Sequence, residues 1–323
     1  MKGLVNNIFK TAVEPLRSVR RRQRESQRMA SMLHSENARF LKFSPPGHFY
    51  SPIPDIEDIH SHSAAIFDQS GKEIAGVELN EAAQLRFAQR FAEIYGEIPF
   101  PDAKREGSRY YFDNDYFSYG DGIALYSMMR LFTPARIVEV GSGYSSSAML
   151  DVDDRFFGGR IAFTFIDPYP ERLLGLLTDR DRQRCAILQK SVLDVPLEVF
   201  RSLEENDILF IDSSHVAKTH SDVLHLLFQV LPALKPGVVI HFHDILWPFE
   251  YPAIWLDDGR AWNEAYFLRA FLQYNTAFEI LYFNAFMEAH HATLLREHLP
   301  GMLKAPSCKV TPGNTSLWLR KAA

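Results

Sequence analysis

The sequence predicts an α/β fold built on a seven-stranded, mainly parallel sheet, and three features carry that prediction. From Ala135 onward, short β-branched and aliphatic runs alternate with stretches whose apolar residues recur at helical spacing. Such alternation implies strands covered by helices on both faces. The first run, ARIVEVG, passes into a glycine-rich turn and a helix start, the order of a strand, turn and helix in a parallel unit. The last two strands come after the helices, joined by a Pro- and Gly-rich connection, PGMLKAPSCKVTPGN, which implies a hairpin-like antiparallel addition at one edge.

Strands are expected at 135–141, 161–167, 185–191, 207–212, 237–243, 278–286 and 316–320. Helical patterns lie between them at about 144–152, 170–178, 196–204, 217–233 and 262–273, with a short one near 287–298. Ahead of the sheet, a helix should start near Asn80, a good N-cap, and run through LRFAQRFAEIY with Leu85, Phe87, Phe91, Ile94 and Tyr95 toward a core. The segment SPPGHFYSPIP (44–54) carries four prolines and reads as a rigid loop or boundary. RYYFDNDYFSYGDG (109–122) is mostly aromatic and polar, suited either to a packed cluster or to the lining of a pocket. Three segments result: a basic amphipathic N-terminal helical extension (1–43), a loop and helix region suited to a lid (44–120), and the α/β domain (121–323).

Composition narrows the function. With 323 residues, 46% hydrophobic and 13% aromatic, the chain has ample material for a core. A net charge of −5 gives no reason to expect a nucleic-acid partner. The basic charge is local: Lys2, Lys10, Arg17, Arg20, Arg21, Arg22, Arg24 and Arg28 face only Glu14 and Glu25 in the first thirty residues. Residues 1–28 therefore read as a solvated or docking helix, interrupted at Pro15, as a peripheral contact with an anionic membrane, or as an Arg-rich organelle presequence. Cys185 and Cys308 are too few for a disulfide framework. With no apolar run of membrane-spanning length and no apolar stretch of a secretory signal, a cytoplasmic protein, soluble or membrane-peripheral, is expected.

The chemistry concentrates at strand ends. In VEVGSGYSS, Gly141 and Gly143 would let a ligand approach the backbone, while the following helix turns its free N–H groups toward it. A dinucleotide site usually has a third glycine where Ser146 stands, and needs no acid on the strand, where Glu139 stands. The second strand ends in FIDPYP, placing Asp167 where a carboxylate accepts hydrogen bonds from ribose hydroxyls.

With these motifs, and with DILFIDSSH and LPALKPGVVIHFHDI following in order, the chain resembles the class I S-adenosylmethionine-dependent methyltransferases over roughly 120–323. The resemblance implies the Rossmann-like fold of that family and S-adenosylmethionine as cofactor. It implies Glu139, Gly141 and Gly143 at the methionine part, Asp167 at the ribose, Ser191 and Val192 beside the adenine, and Asp212 among the cofactor-binding residues. Many members carry an acid directly after the third strand, where this chain has KSVLD. The FIDSSH and HFHD ends look most like small-molecule and sugar O-methyltransferases, which implies a small-molecule or glycan acceptor.

Asp212, Ser213, Ser214 and His215 end the fourth strand, and His241, His243 and Asp244 the fifth, in the stretch HFHDILWPFEYP. Two routes fit these residues. His215 or His243 takes the acceptor's proton, oriented by Asp212 or Asp244. Alternatively Asp212 and Asp244 with one histidine, His243, hold a divalent metal that acidifies the acceptor hydroxyl. His241 reads as a packing residue. Trp247, Phe249, Tyr251 and Trp255 suit either an acceptor platform or a plug over the sheet edge. Two competing readings remain: a methyltransferase-fold binding protein without activity, since fold does not fix function, and a nicotinamide-dependent oxidoreductase, against which Glu139 and Ser146 speak.

Overall fold

A seven-stranded sheet in the order β3-β2-β1-β4-β5-β7-β6 organises the chain. The computed structural model describes residues 42–307 and 312–322; the basic segment 1–28 and Cys308 lie outside the described residues. It divides into two units, one running to Ile66 and including Leu256–Ala261, the other comprising Phe67–Trp255 and Trp262–Ala323. In the first, α1 (Ile56–Ser61) begins where the Asp55 carboxylate accepts the Glu57 N–H, and α2 (Ser63–Ile66) follows. There His60 Nε2 lies 2.8 Å from Asp257 Oδ1. Residues 67–120, grouped with 44–66 by sequence, belong to the larger unit, as does the whole sheet.

In that unit α3 (Glu81–Ile94) buries Gln84, Ala88 and Phe91. Phe91 packs on Tyr282 at 4.9 Å between ring centroids, and Gln84 Oε1 accepts the Phe283 N–H. Asn80 precedes the helix as expected but does not cap it: its backbone is left-handed (φ 51°), and its side-chain amide donates to the Ile280 carbonyl instead. The next helix, α4 (Tyr119–Phe132), was not legible in the sequence. It is buried on nearly every side, so it lacks an amphipathic stripe, and it carries two glycines near its start. One of these is required by packing, because a Cβ on Gly120 would lie 1.8 Å from Asn314 Oδ1.

The strands are β1 (Arg136–Val140), β2 (Ala162–Ile166), β3 (Ala186–Leu188), β4 (Ile208–Ile211), β5 (Val239–Phe242), β6 (Phe278–Phe283) and β7 (Leu317–Lys321). β1 runs parallel to β2 and β4, β2 to β3, and β4 to β5. The antiparallel addition at the β5 edge has β7 seated between β5 and β6, opposed to both. β1 to β5 are almost entirely apolar, as strands covered on both faces must be.

Between strands lie α5 (Tyr144–Val152), α6 (Glu171–Leu176), α7 (Asp179–Arg184), α8 (Leu197–Arg201), α9 (Asp222–His225), α10 (Glu264–Leu272) and α11 (Asn284–His298). α7, whose sequence DRDRQR has no apolar period, starts at the capping hydroxyl of Thr178. The helix expected from 217 starts only at Asp222, where Ser221 Oγ accepts the Leu224 N–H. It continues through a π turn, Leu226–Val230. The residues freed by that late start form the loop that carries His215.

Candidate active site

The glycine-rich turn is welded to the end of β4. Gly141 has φ +79°, donates its N–H to the Ile166 carbonyl at 2.9 Å, and lies so close to Asp212 that a Cβ would sit 1.9 Å from the Asp212 carbonyl oxygen. The strand order reverses between β1 and β4, so the crevice outside their carboxyl ends is the natural ligand position of this sheet. Gly143 lies beneath Arg172, whose Cδ would be 2.9 Å from a Cβ at that glycine.

Glu139 sits behind the turn, fully buried. Ser145 Oγ and Ser146 Oγ donate to its two carboxylate oxygens at 2.5 Å each, and Ser146 Oγ accepts the Gly143 N–H at 2.9 Å. Ser146, noted in the sequence only as a missing glycine, thus links the turn to the strand. Burial drives the Glu139 carboxyl up to about 8 against the pull of those two serine hydrogen bonds.

Half-buried Asp167 ends β2, where its Oδ2 accepts from the Ser142 N–H at 3.1 Å and Ser142 Oγ at 2.8 Å, and its Oδ1 from the Tyr169 N–H at 2.8 Å. The acid expected at the ribose is therefore tied to the turn expected at the methionine. Ser191 caps the short 3₁₀ turn Val192–Asp194 after β3, and Val192 is buried. A cation–aromatic stack missed by the sequence reading covers the turn: the Arg172 guanidinium lies 3.7 Å from the Tyr116 ring, which stacks on Tyr144. In the run RYYFDNDYFSYGDG, Tyr110, Phe112 and Phe117 pack inside as a cluster, while Tyr116 stays exposed.

At the ends of β4 and β5, Asp212, His215 and Asp244 converge, with one ligand atom of each within 4.8 Å of the others. His215 Nε2 lies 3.4 Å from Asp212 Oδ1 and 3.5 Å from Asp244 Oδ2. Its Nδ1 is 2.8 Å from Oε2 of Glu264, a buried carboxylate whose Oε1 accepts from Ser213 Oγ. The histidine in this trio is His215, where the sequence reading grouped His243 with the two aspartates. His243 stands beside it, its Nε2 3.6 Å from Asp244 Oδ1 and its Nδ1 3.3 Å from Thr315 Oγ1, which donates to buried Asp121. Asp244 and His215 both adopt left-handed backbone (φ 57° and 60°), conformations a non-glycine residue keeps only where its surroundings enforce them. The left-handed turn at Asp244 sets its carboxylate alongside His243.

Burial would lower the pKa of His215, but the hydrogen bonds to Asp212 and Glu264 and the charges of Glu264 and Asp244 outweigh it and hold the imidazole well above its ordinary value. His241 is the reverse case: buried without an acid partner, it is held well below that value by desolvation and by His243. It stacks on Phe210 at 3.7 Å between centroids and meets Ser316 Oγ at 2.8 Å, the packing role expected of it. Trp247, Phe249, Tyr251 and Trp255 are all buried, and Trp247 and Phe249 pack against Phe283. Buried in this way, these rings are packed as the plug expected over the sheet edge.

Parts of this chain are similar to known proteins. Residues 138–245, which span the glycine-rich turn, Asp167 and both reaction-end strands, match the family described as Methyltransferase domain. An uncharacterized protein of Archaeoglobus fulgidus is 34% identical over 172 residues, covering 52% of this chain and 76% of that protein. Among solved structures, the O-methyltransferase TomG of Streptomyces achromogenes, in complex with SAM, aligns at 13% identity over 82% of this chain and 96% of that one, with a TM-score of 0.40. The SAH-bound methyltransferase PaMTH1 of Podospora anserina aligns at 13% identity over 83% and 96%, with a TM-score of 0.37. Residues 138–245, which hold the glycine-rich turn and the strand-end acids, therefore form a methyltransferase domain.

Proposed function

We propose that this chain transfers the methyl group of S-adenosylmethionine to a hydroxyl oxygen of a small molecule or glycan at the carboxyl ends of β4 and β5. The observation that carries the reading is the convergence of Asp212, His215 and Asp244 beside the crevice where Gly141 meets Asp212. Transfer breaks the sulfonium S–C bond, forms an O–C bond and releases the hydroxyl proton. The protein's part is to align acceptor and methyl and to make that proton leave. Glu139, Gly141 and Gly143 are assigned to the methionine end of the cofactor, Asp167 to the ribose, and Ser191 and Val192 to the adenine.

Asp212, His215 and Asp244 fit a divalent cation. They offer two carboxylates and a ring nitrogen toward one point, and the buried Asp244 Oδ1 has no hydrogen-bond partner. Such an ion, when bound, supplies Lewis acidity that lowers the pKa of an acceptor hydroxyl. A second reading makes His215 the general base, oriented by the Glu264 carboxylate on its Nδ1 and acting once the imidazole, held protonated by its acid partners, has lost its proton. Incubation with methyl-labelled S-adenosylmethionine and a panel of hydroxylated small molecules and glycans, with and without EDTA, tests both. Label transfer abolished by EDTA and restored by Mg²⁺ or Mn²⁺ supports the cation. Transfer that persists in EDTA, with no tightly held metal in the purified protein, leaves His215 as base. Label appearing only on nitrogen or sulfur acceptors would refute the oxygen assignment.

A further inference from the structure

We infer that Glu264 is a positioning residue of this site: it fixes the His215 ring so that Nε2 faces the gap between Asp212 and Asp244. The inference rests on the proposed site at the ends of β4 and β5, but it serves that site whether Nε2 binds a cation or accepts a proton.

Glu264 is the first residue of α10 and is almost completely buried, an expensive place for a carboxylate unless its hydrogen bonds are made. Both its oxygens are engaged, and both point at the loop after β4. Oε2 meets His215 Nδ1 at 2.8 Å, and Oε1 accepts from Ser213 Oγ at 3.1 Å. In this arrangement Nδ1 is the donor and the carboxylate the acceptor, which leaves Nε2 as the ring atom directed at the reaction end. The backbone adds to the hold. The N–H groups of Asn263 and Glu264 both donate to the His215 carbonyl, at 3.0 and 3.2 Å, and the Asn263 side chain bonds both the N–H and the carbonyl of Ala217. Trp262 lies against the imidazole at 4.4 Å between centroids, limiting ring rotation. His215 keeps its left-handed backbone (φ 60°) inside this clamp. A carboxylate behind a functional imidazole is the usual way to fix its tautomer and orientation, and its removal from a metal-binding histidine typically costs about 10- to 100-fold in affinity.

The test combines proton NMR of protein carrying ¹⁵N-labelled histidine with Mn²⁺ titration followed by electron paramagnetic resonance. The expected wild-type signature is a strongly deshielded, slowly exchanging imidazole proton on His215 Nδ1, assigned by its loss in His215→Asn. It should vanish in Glu264→Ala and persist, shifted upfield, in Glu264→Gln, whose amide oxygen still accepts but without charge. Mn²⁺ affinity should fall about tenfold or more in Glu264→Ala, with Glu264→Gln intermediate. Absence of the proton in wild-type protein, or its persistence in Glu264→Ala, overturns the inference. So does a Glu264→Ala variant that loses the proton yet binds Mn²⁺ as wild type does. If Glu264→Ala does not fold, the Gln shift decides the question. A wild-type protein that shows the proton but binds no Mn²⁺ upholds the positioning role and removes the cation reading. Calorimetry with S-adenosylhomocysteine on the same samples reports separately on the cofactor half of the site.

Discussion

The α-carbon of Gly141 stands against the carbonyl of Asp212, so close that a side chain at Gly141 would begin 1.9 Å from that oxygen. This contact joins the turn assigned to the cofactor to the strand end assigned to the acceptor, and with φ +79° no other residue fits without strain. Gly141→Ala should therefore lose more than the roughly 1–2 kcal/mol of left-handed strain alone. It should also abolish cofactor binding, because Asp212 must move. Urea unfolding and calorimetry with S-adenosylhomocysteine measure the two effects; a variant with wild-type stability and affinity would mean the contact is not maintained in solution.

Asp167 has a double load, holding Ser142 and facing the expected ribose. Asp167→Ala should weaken S-adenosylhomocysteine by about 1–3 kcal/mol, the cost of unmade hydrogen bonds to a charged group. Ser142→Ala separates the loads by removing the hydroxyl that donates to Asp167 while leaving the carboxylate. An affinity that falls equally in both variants would assign the whole effect to the turn and none to the ribose.

Glu139 makes stability depend on pH in a particular direction. Its folded pKa of about 8 lies above the ordinary 4.5, so between those values the folded protein keeps a proton that the unfolded chain has lost. Its contribution is thus fully present below 4.5 and is lost as pH rises toward about 8. The loss amounts to about 1.4 kcal/mol per pH unit across that window. Urea unfolding at a series of pH values should show this slope in wild-type protein and a flatter one in Glu139→Gln. Parallel curves would show that the carboxyl is ionised in the folded state.

Arg109 stitches the segment before α4 onto α5 and α7. It donates to Asp151, Asp154 and Asp181 at 2.6–2.8 Å, and Asp181 is fully buried. Arg109→Leu takes the cation from Asp151 and leaves Asp154 and Asp181 with Arg184, and should cost about 3–5 kcal/mol. Loss of less than about 1 kcal/mol in chemical denaturation would place the cluster among exposed pairs of little weight.

The sheet was legible because β1, β2, β4 and β5 are mostly buried and so read as apolar runs, with Gly141, Asp167, Asp212 and Asp244 each placed by a strand end. The elements that escaped were those whose pattern is set by neighbours. α4 is buried all round, α7 is charged all round, and Asn80 bonds a distant strand instead of its own helix. The same reason hides Glu264. An acid in the first turn of a helix is ordinarily explained by the helix dipole, and only the fold brings it to His215 at a sequence separation of 49. His243 and His215 were both visible, but their ranking depended on the left-handed turn at Asp244, which strict alternation along β5 cannot foresee.

The account stands on a methyl-donor cofactor lying in the crevice between β1 and β4. Isothermal titration of the folded protein with S-adenosylhomocysteine, S-adenosylmethionine and NAD tests this most directly. Saturable one-site heat with both sulfur nucleotides and none with NAD is the predicted result. Folded protein that gives no heat with either sulfur nucleotide would contradict it.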